Sequence, residues 1–143
     1  MPTSDDTPLR YAVDTSVAVA ALDACHAAHV ECRERVMATS PVLAGHAAFE
    51  TYSVLTRMPG GLRLDAPVAA AVIRVAFPQR CWLSAAASEA LLELCGPLGV
   101  TGGAVYDALV GEAARVNGRV LLTRDRRAQR TYDLLGVDYE LLG

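Results

Sequence analysis

The sequence predicts an α/β fold, a mainly parallel sheet with helices covering both faces, and three observations carry the prediction. Short apolar runs alternate with longer stretches of helical periodicity over the whole chain. Turn residues punctuate these segments singly, without gathering into a linker that would split the chain. The 143 residues, 52% of them apolar, suffice for one domain with its own core and no metal or disulfide staple. Residues 1–8 read as a flexible tail, which leaves 9–143 as the domain.

Taken in order, Leu9–Val13 is an apolar strand that stops at Asp14-Thr15-Ser16, a trio that favours helix N-caps, so a helix begins near Val17. A second helix is expected over His26–Ala38, followed by a short strand, Pro41–Leu43. Gly45-His46 opens a helix to Met58, stopped by Pro59-Gly60-Gly61. Ala66–Ala76 reads as a helix, Arg80–Leu83 as a strand, and Ser84–Cys95 as a helix capped by Ser84 and ended by Gly96-Pro97. Beyond the loop Gly99–Gly103, a helix over Ala104–Asn117 closes at Gly118. Arg119–Leu122 is a strand, Asp125–Leu135 a helix ended by Gly136, and Val137–Leu141 the last strand.

The net charge of −3 means that any polyanion would have to be met by a local basic patch. All 13 basic residues are Arg, which favours planar, bidentate phosphate contacts, although a coding bias explains the absence of Lys more simply. Cys25, Cys32, Cys81 and Cys95 lack CxxC pairing and read as reduced, buried thiols of a cytoplasmic protein. Cys25, His26, His29 and Cys32 nevertheless crowd into eight residues and form a rival metal cluster. No apolar run approaches the roughly 20 residues of a membrane span, and acids stand where a signal peptide would carry positive charge. The segment Gly96–Gly103 lacks both GxGxxG spacing and a P-loop Lys. A receiver domain would need a Lys, and a dehalogenase-like phosphatase a DxD where Asp14-Thr15-Ser16 stands.

Four of the 16 acids are distinguished by position. Asp14 and Asp125 each follow the carboxyl end of a predicted strand, which is where parallel sheets bind ligands. Glu50 lies in a helix whose apolar residues cover most of the circumference, leaving a thin polar stripe of His46, Glu50, Ser53 and Arg57 that suggests an internal site. Asp107 sits near a helix start, where the dipole favours an anion, with Gly111 and Arg115 on an ordinary polar arc beside it. Singly, each acid has a plainer explanation, as an N-cap or a solvated side chain. If all four converge, like charges about 5 Å apart repel by roughly 3 kcal/mol at an effective dielectric near 20, so they need a counter-charge. Hard oxygen donors point to Mg²⁺ or Mn²⁺ rather than zinc.

The residues around these acids carry a family resemblance. Val13-Asp14-Thr15-Ser16-Val17, the helix Ala48-Phe49-Glu50-Thr51-Tyr52-Ser53-Val54-Leu55-Thr56-Arg57-Met58-Pro59-Gly60, Ala104-Val105-Tyr106-Asp107-Ala108-Leu109 and Leu121-Leu122-Thr123-Arg124-Asp125 together resemble the PIN-domain nucleases. Within that family the chain is similar to the VapC-type toxins of bacterial toxin–antitoxin pairs, in the order and spacing of the segments over residues 10–141. The resemblance implies a three-layer α/β/α domain on a five-stranded sheet of order 3-2-1-4-5. It also implies Mg²⁺- or Mn²⁺-dependent cleavage of RNA, homodimerisation, and inhibition by a cognate VapB-type antitoxin. Asp14, Glu50, Asp107 and Asp125 carry over as catalytic and metal-site acids, and Thr15, Ser16 and Thr123 as supporting hydroxyls. Some relatives have a further acid after the fourth; Arg126 and Arg127 stand there in this chain, which bears on a second metal.

Arg124, Arg126, Arg127 and Arg130 read equally well as a phosphate track and as a solvated helix face with surface ion pairs. Glu31, Arg33, Glu34 and Arg35 form either a partner surface or ordinary wet helix. A non-catalytic PIN-like module that binds RNA or protein is the competing functional class, separated from the nuclease by metal-dependent turnover.

Overall fold

The chain folds as β1 (Tyr11–Val13), α1 (Thr15–Leu22), α2 (His29–Thr39), β2 (Val42–Ala44), α3 (Ala47–Arg57), α4 (Ala66–Ala76), β3 (Arg80–Cys81), α5 (Ala85–Leu98), α6 (Ala104–Val116), β4 (Val120–Thr123), α7 (Gln129–Leu135) and β5 (Tyr139–Leu141), with a 3-10 turn at Gly60–Leu62. The structure is a computed structural model that describes residues 8–143. The expected tail, apart from Pro8, lies outside the described residues. The five strands form one sheet in the order β3-β2-β1-β4-β5, with every neighbouring pair parallel, as expected.

Connections from β1 to β2 to β3 run one way across this sheet, whereas those through β4 to β5 run the other way. Because parallel crossovers share one hand, the reversal puts α1–α4 on one face and α5–α7 on the other. The reversal falls between β1 and β4, whose register pairs Val13 with Leu122. Central strands covered on both faces have no polar side to show. Accordingly Ala12, Val13, Leu43, Leu121 and Leu122 are fully buried, joined by Phe77 and Tyr132 from the helical layers.

Several helix starts differ from expectation, each because a side chain intervenes in backbone pairing. α1 begins at Thr15 rather than near Val17, since Asp14 itself caps it by accepting from the Val17 N–H. α2 begins at His29 rather than His26: His26 Nδ1 accepts from the Ala28 N–H at 3.0 Å, and Asp23 accepts from the Cys25 N–H at 2.9 Å. These local bonds hold the segment in turns. Asp125 similarly accepts from the Arg127 N–H at 2.9 Å, so α7 starts only at Gln129. Conversely, α5 continues through Gly96-Pro97 to Leu98. Pro97 falls in the last turn, where its missing N–H leaves only one carbonyl without an intrahelical donor, and Gly99 at φ +71° then ends the helix. The remaining boundaries move by at most two residues, and Ala66–Ala76 does not move.

α3 is not the mostly buried helix its composition suggests. Only Ala47, Thr51 and Leu55 are buried, while Phe49 is 62% exposed. On α2, Arg35 is no free surface charge; it makes bonds of 2.6 and 2.9 Å to the two carboxylate oxygens of Glu140, tying α2 to β5.

Candidate active site

Asp14 ends β1 at the reversal point and is 5% exposed. Its N–H donates to the Leu122 carbonyl at 3.2 Å, which ties it to β4. Its Oδ1 accepts from Ser16 Oγ at 2.5 Å and from the Val17 N–H at 3.2 Å. Its Oδ2 accepts from Thr123 Oγ1 and, at 3.1 Å, from the Tyr132 hydroxyl. Burial pushes the carboxyl up from its ordinary value, and these four hydrogen bonds pull it back. Asp14 is thus both the cap of α1 and the centre of a polar network, so the two readings of this residue coexist.

Of the three hydroxyls named from the sequence, Ser16 and Thr123 sit in this network and Thr15 serves Glu50. Ser16 Oγ, donor to Asp14, also accepts from the Arg124 N–H at 2.8 Å. Thr123, wholly buried at the end of β4, accepts from the Asp125 N–H at 3.1 Å while donating to Asp14, and so links two acids. Thr15 donates to Glu50 Oε2 at 3.3 Å across the α1–α3 contact. Glu50 also stands 3.6 Å from His46 Nε2, one turn before it on the polar side of α3.

Asp14, Glu50, Asp107 and Asp125, with Thr15, Ser16, Val110 and Tyr132, line one depression of about 40 Å³. Electrostatics shows the same grouping. Half-burial, and then the charges of Asp125, Glu50 and Asp14, push Asp107 up to about 6, with Arg127 opposing. Among the described residues no three acid, His or Cys side chains already close on a point as a ligand cage. Mutual repulsion accounts for carboxylates that share a depression without closing on one another, and all-oxygen donors with one unmet negative field suit a hard divalent cation. The rival cluster is not assembled: Cys32 is buried, Cys25 exposed, and both His26 and His29 engage backbone groups through Nδ1.

The sequence alone does not mark Tyr132, although its hydroxyl reaches the central acid from α7. Burial and the surrounding acids hold its O–H well above the usual tyrosine range, so it stays a donor. A signal does exist in Gly111, one turn after Asp107. Far from lying on a polar arc, Gly111 is buried, and a Cβ there would come within 2.8 Å of Tyr132 Cδ1. A glycine inside a helix, one turn from an acid, marks a close approach by another element.

The four Arg near Asp125 are placed differently from one another. Arg127 is exposed and acts electrostatically on Asp107. Arg130 is exposed on α7. Arg126 donates to the Gly143 carbonyl at 3.4 Å. The Arg124 guanidinium lies beside Gly143, its Nε buried without a partner. The stripe His46, Glu50, Ser53 and Arg57 is real, but it lines an open groove of about 590 Å³ with Val54 and Tyr106 instead of an enclosed site.

Comparison with known proteins agrees with this picture. The family model described as PIN domain matches residues 11–134. Ribonuclease VapC27 of Mycobacterium tuberculosis is 44% identical over 126 residues, 88% of this chain and 92% of its own length. Ribonuclease VapC40 of the same species is 44% identical over 133 residues, 92% of this chain and 98% of its own. Among solved structures, Mycobacterium tuberculosis VapC20, titled a Sarcin-Ricin loop cleaving toxin, superposes with a TM-score of 0.65 at 26% identity, covering 89% of this chain and 95% of that one.

Proposed function

The chain belongs to the PIN-domain family, on the side of its VapC-type toxins, and from that premise we propose that it is a divalent-metal-dependent endoribonuclease acting as the toxin of a toxin–antitoxin pair. The observation that carries the reading is the convergence of Asp14, Glu50, Asp107 and Asp125 on one depression at the carboxyl ends of β1 and β4. Asp14, Asp107, Asp125 and Glu50 would hold Mg²⁺ or Mn²⁺. When bound, the ion supplies positive charge against the acids and the phosphate and makes an attacking water more acidic.

The chain's own residues do the rest. Ser16, Thr123 and Tyr132 fix both oxygens of Asp14, so the central acid is oriented before substrate arrives. Asp107 or Glu50, the latter steadied by Thr15, would orient the attacking water or take its proton. In-line attack on a phosphodiester then breaks the bond to the leaving oxygen. Arg127, whose charge reaches Asp107, and the exposed Arg126 and Arg130 would meet phosphates of the substrate. Homodimerisation, inhibition by a VapB-type antitoxin and a cytoplasmic location belong to the same proposal. Apolar side chains left exposed on α4 and α5, Val75 and Leu92, offer surface for such association. Among the described residues no helix is long and apolar enough to cross a membrane.

The test is cleavage of a total cellular RNA pool by purified protein with Mg²⁺, Mn²⁺ or EDTA, beside Asp14→Asn, with the cut ends mapped. Discrete ends that require both metal and Asp14 are expected, with circular dichroism unchanged in the variant. Full activity in Asp14→Asn, or in EDTA, would overturn the scheme. No cutting under any condition would leave the non-catalytic binding module.

A further inference from the structure

Beyond the acids, along the same end of the sheet, lies a strip of four rings that the chemistry of cleavage does not use. His46 and Tyr106 stack at 5.2 Å between centroids and 16° between planes. His46 stands 6.3 Å from Phe49, and Phe49 stands 5.9 Å from Trp82. The strip crosses the sheet top in topological order, since His46 follows β2 and Trp82 follows β3, the two strands beyond β1 on that side. Its inner end is the acid cluster itself, through the His46–Glu50 contact.

Three of the rings are open to solvent, with Tyr106 53%, Phe49 62% and Trp82 49% exposed, while His46 is partly covered by its stack on Tyr106. A core needs none of them there, and large exposed aromatics in a row are an unusual arrangement for a surface that meets only water. Charge along the strip is mainly positive away from Glu50. Arg57 lines the groove beside His46 and Tyr106, while Arg74 and Arg80 line the hollow beside Phe49 and Trp82. None of the three makes an ion pair with a described carboxylate, and Glu50 is the sole acid lining either hollow. In a chain of net charge −3 this is a local reversal.

Open π-faces interleaved with unpaired guanidinium groups are the chemistry that receives single-stranded nucleic acid: bases stack on the rings, and phosphates meet the cations. We infer that His46, Tyr106, Phe49 and Trp82 form a base-stacking subsite that holds the unpaired nucleotides flanking the bond cut at the acids. The inference rests on the nuclease reading for the word "cut" but not for the binding. A paired helix keeps its bases stacked on one another and has no free face for these rings, so the strip selects unpaired RNA.

Trp82 is the chain's single tryptophan, so its fluorescence reports contact directly. The binding experiment uses full-length Asp14→Asn protein in EDTA, with three probes: an unstructured RNA oligonucleotide, the same backbone without bases, and a blunt RNA duplex. The unstructured RNA is expected to quench Trp82 and to bind more tightly than the other two. Tyr106→Ala and Phe49→Ala should each weaken its binding about tenfold while leaving the abasic probe unaffected. Arg57→Ala should reduce the slope of log affinity against log salt by about 0.7. Equal affinity for abasic and unmodified RNA, or ring variants that bind RNA as the parent does, would overturn the subsite. So would ring variants that keep RNA binding but change the mass of the protein in solution, which would make the strip a protein interface. Ring-dependent binding by a wild-type protein that cuts no RNA would sink the nuclease reading and leave the subsite standing.

Discussion

Asp107 is the acid whose surroundings most alter its chemistry, and the alteration has a sign that can be tested. Its carboxyl is ordinary in the unfolded chain, at 3.8, and about 6 in the folded one. Between those values the folded protein keeps a proton the unfolded chain has lost, so folding is favoured there by acid. Stability from this group is full below about 4 and is lost as pH rises through about 6; Asp14, also raised, acts in the same direction. In EDTA, the urea midpoint of the parent is therefore expected to fall from pH 4 to pH 7 by more than that of Asp107→Asn. Superimposable profiles would show that Asp107 does not sense its neighbours. At this scale the sequence singles out the acids that the fold brings together, because strand ends and helix starts are legible locally. It does not reveal Tyr132, whose role depends on a contact 118 residues distant in the chain from Asp14.

Between elements, α6 and α7 meet where Gly111 admits the ring of Tyr132. Gly111→Ala should improve the intrinsic propensity of α6 by about 1 kcal/mol yet force the ring aside, and overpacking of that kind costs typically 1–3 kcal/mol. The net expectation is a lower urea midpoint, together with weaker cleavage as Tyr132 loses its place against Asp14. An unchanged midpoint and rate would mean that α7 yields freely. Ala66–Ala76 was legible to the residue because Pro67 at its start and Phe77 at its end agree with the apolar period. The starts of α2 and α7 were not, since Asp23, His26 and Asp125 compete for backbone N–H groups only in the geometry that their loops adopt.

Over the whole molecule the proposed metal site would link folding to cation binding, because a divalent ion would relieve the repulsion the acids share. Mg²⁺ at about 100 times its Kd should stabilise the fold by about 2.7 kcal/mol, raising Tm by several degrees, and the gain should shrink in both Asp14→Asn and Asp107→Asn. A Tm that ignores Mg²⁺ in the parent would argue against a divalent site at these acids. The sequence by itself determined the alternation of strand and helix, the five strands and the choice of four acids that prove to share one depression. These follow from periods of 2 and 3.6 and from turn residues acting over a few neighbours, and the family resemblance supplied the strand order. Only the tertiary structure decided that α3 turns Phe49 and Tyr52 outward, that Gly111 makes room for Tyr132, that Arg35 belongs to Glu140, and that four rings align beside the acids. Each of these depends on which apolar surfaces of distant segments meet, and composition counts an aromatic or a glycine alike whether its neighbour is water or another helix.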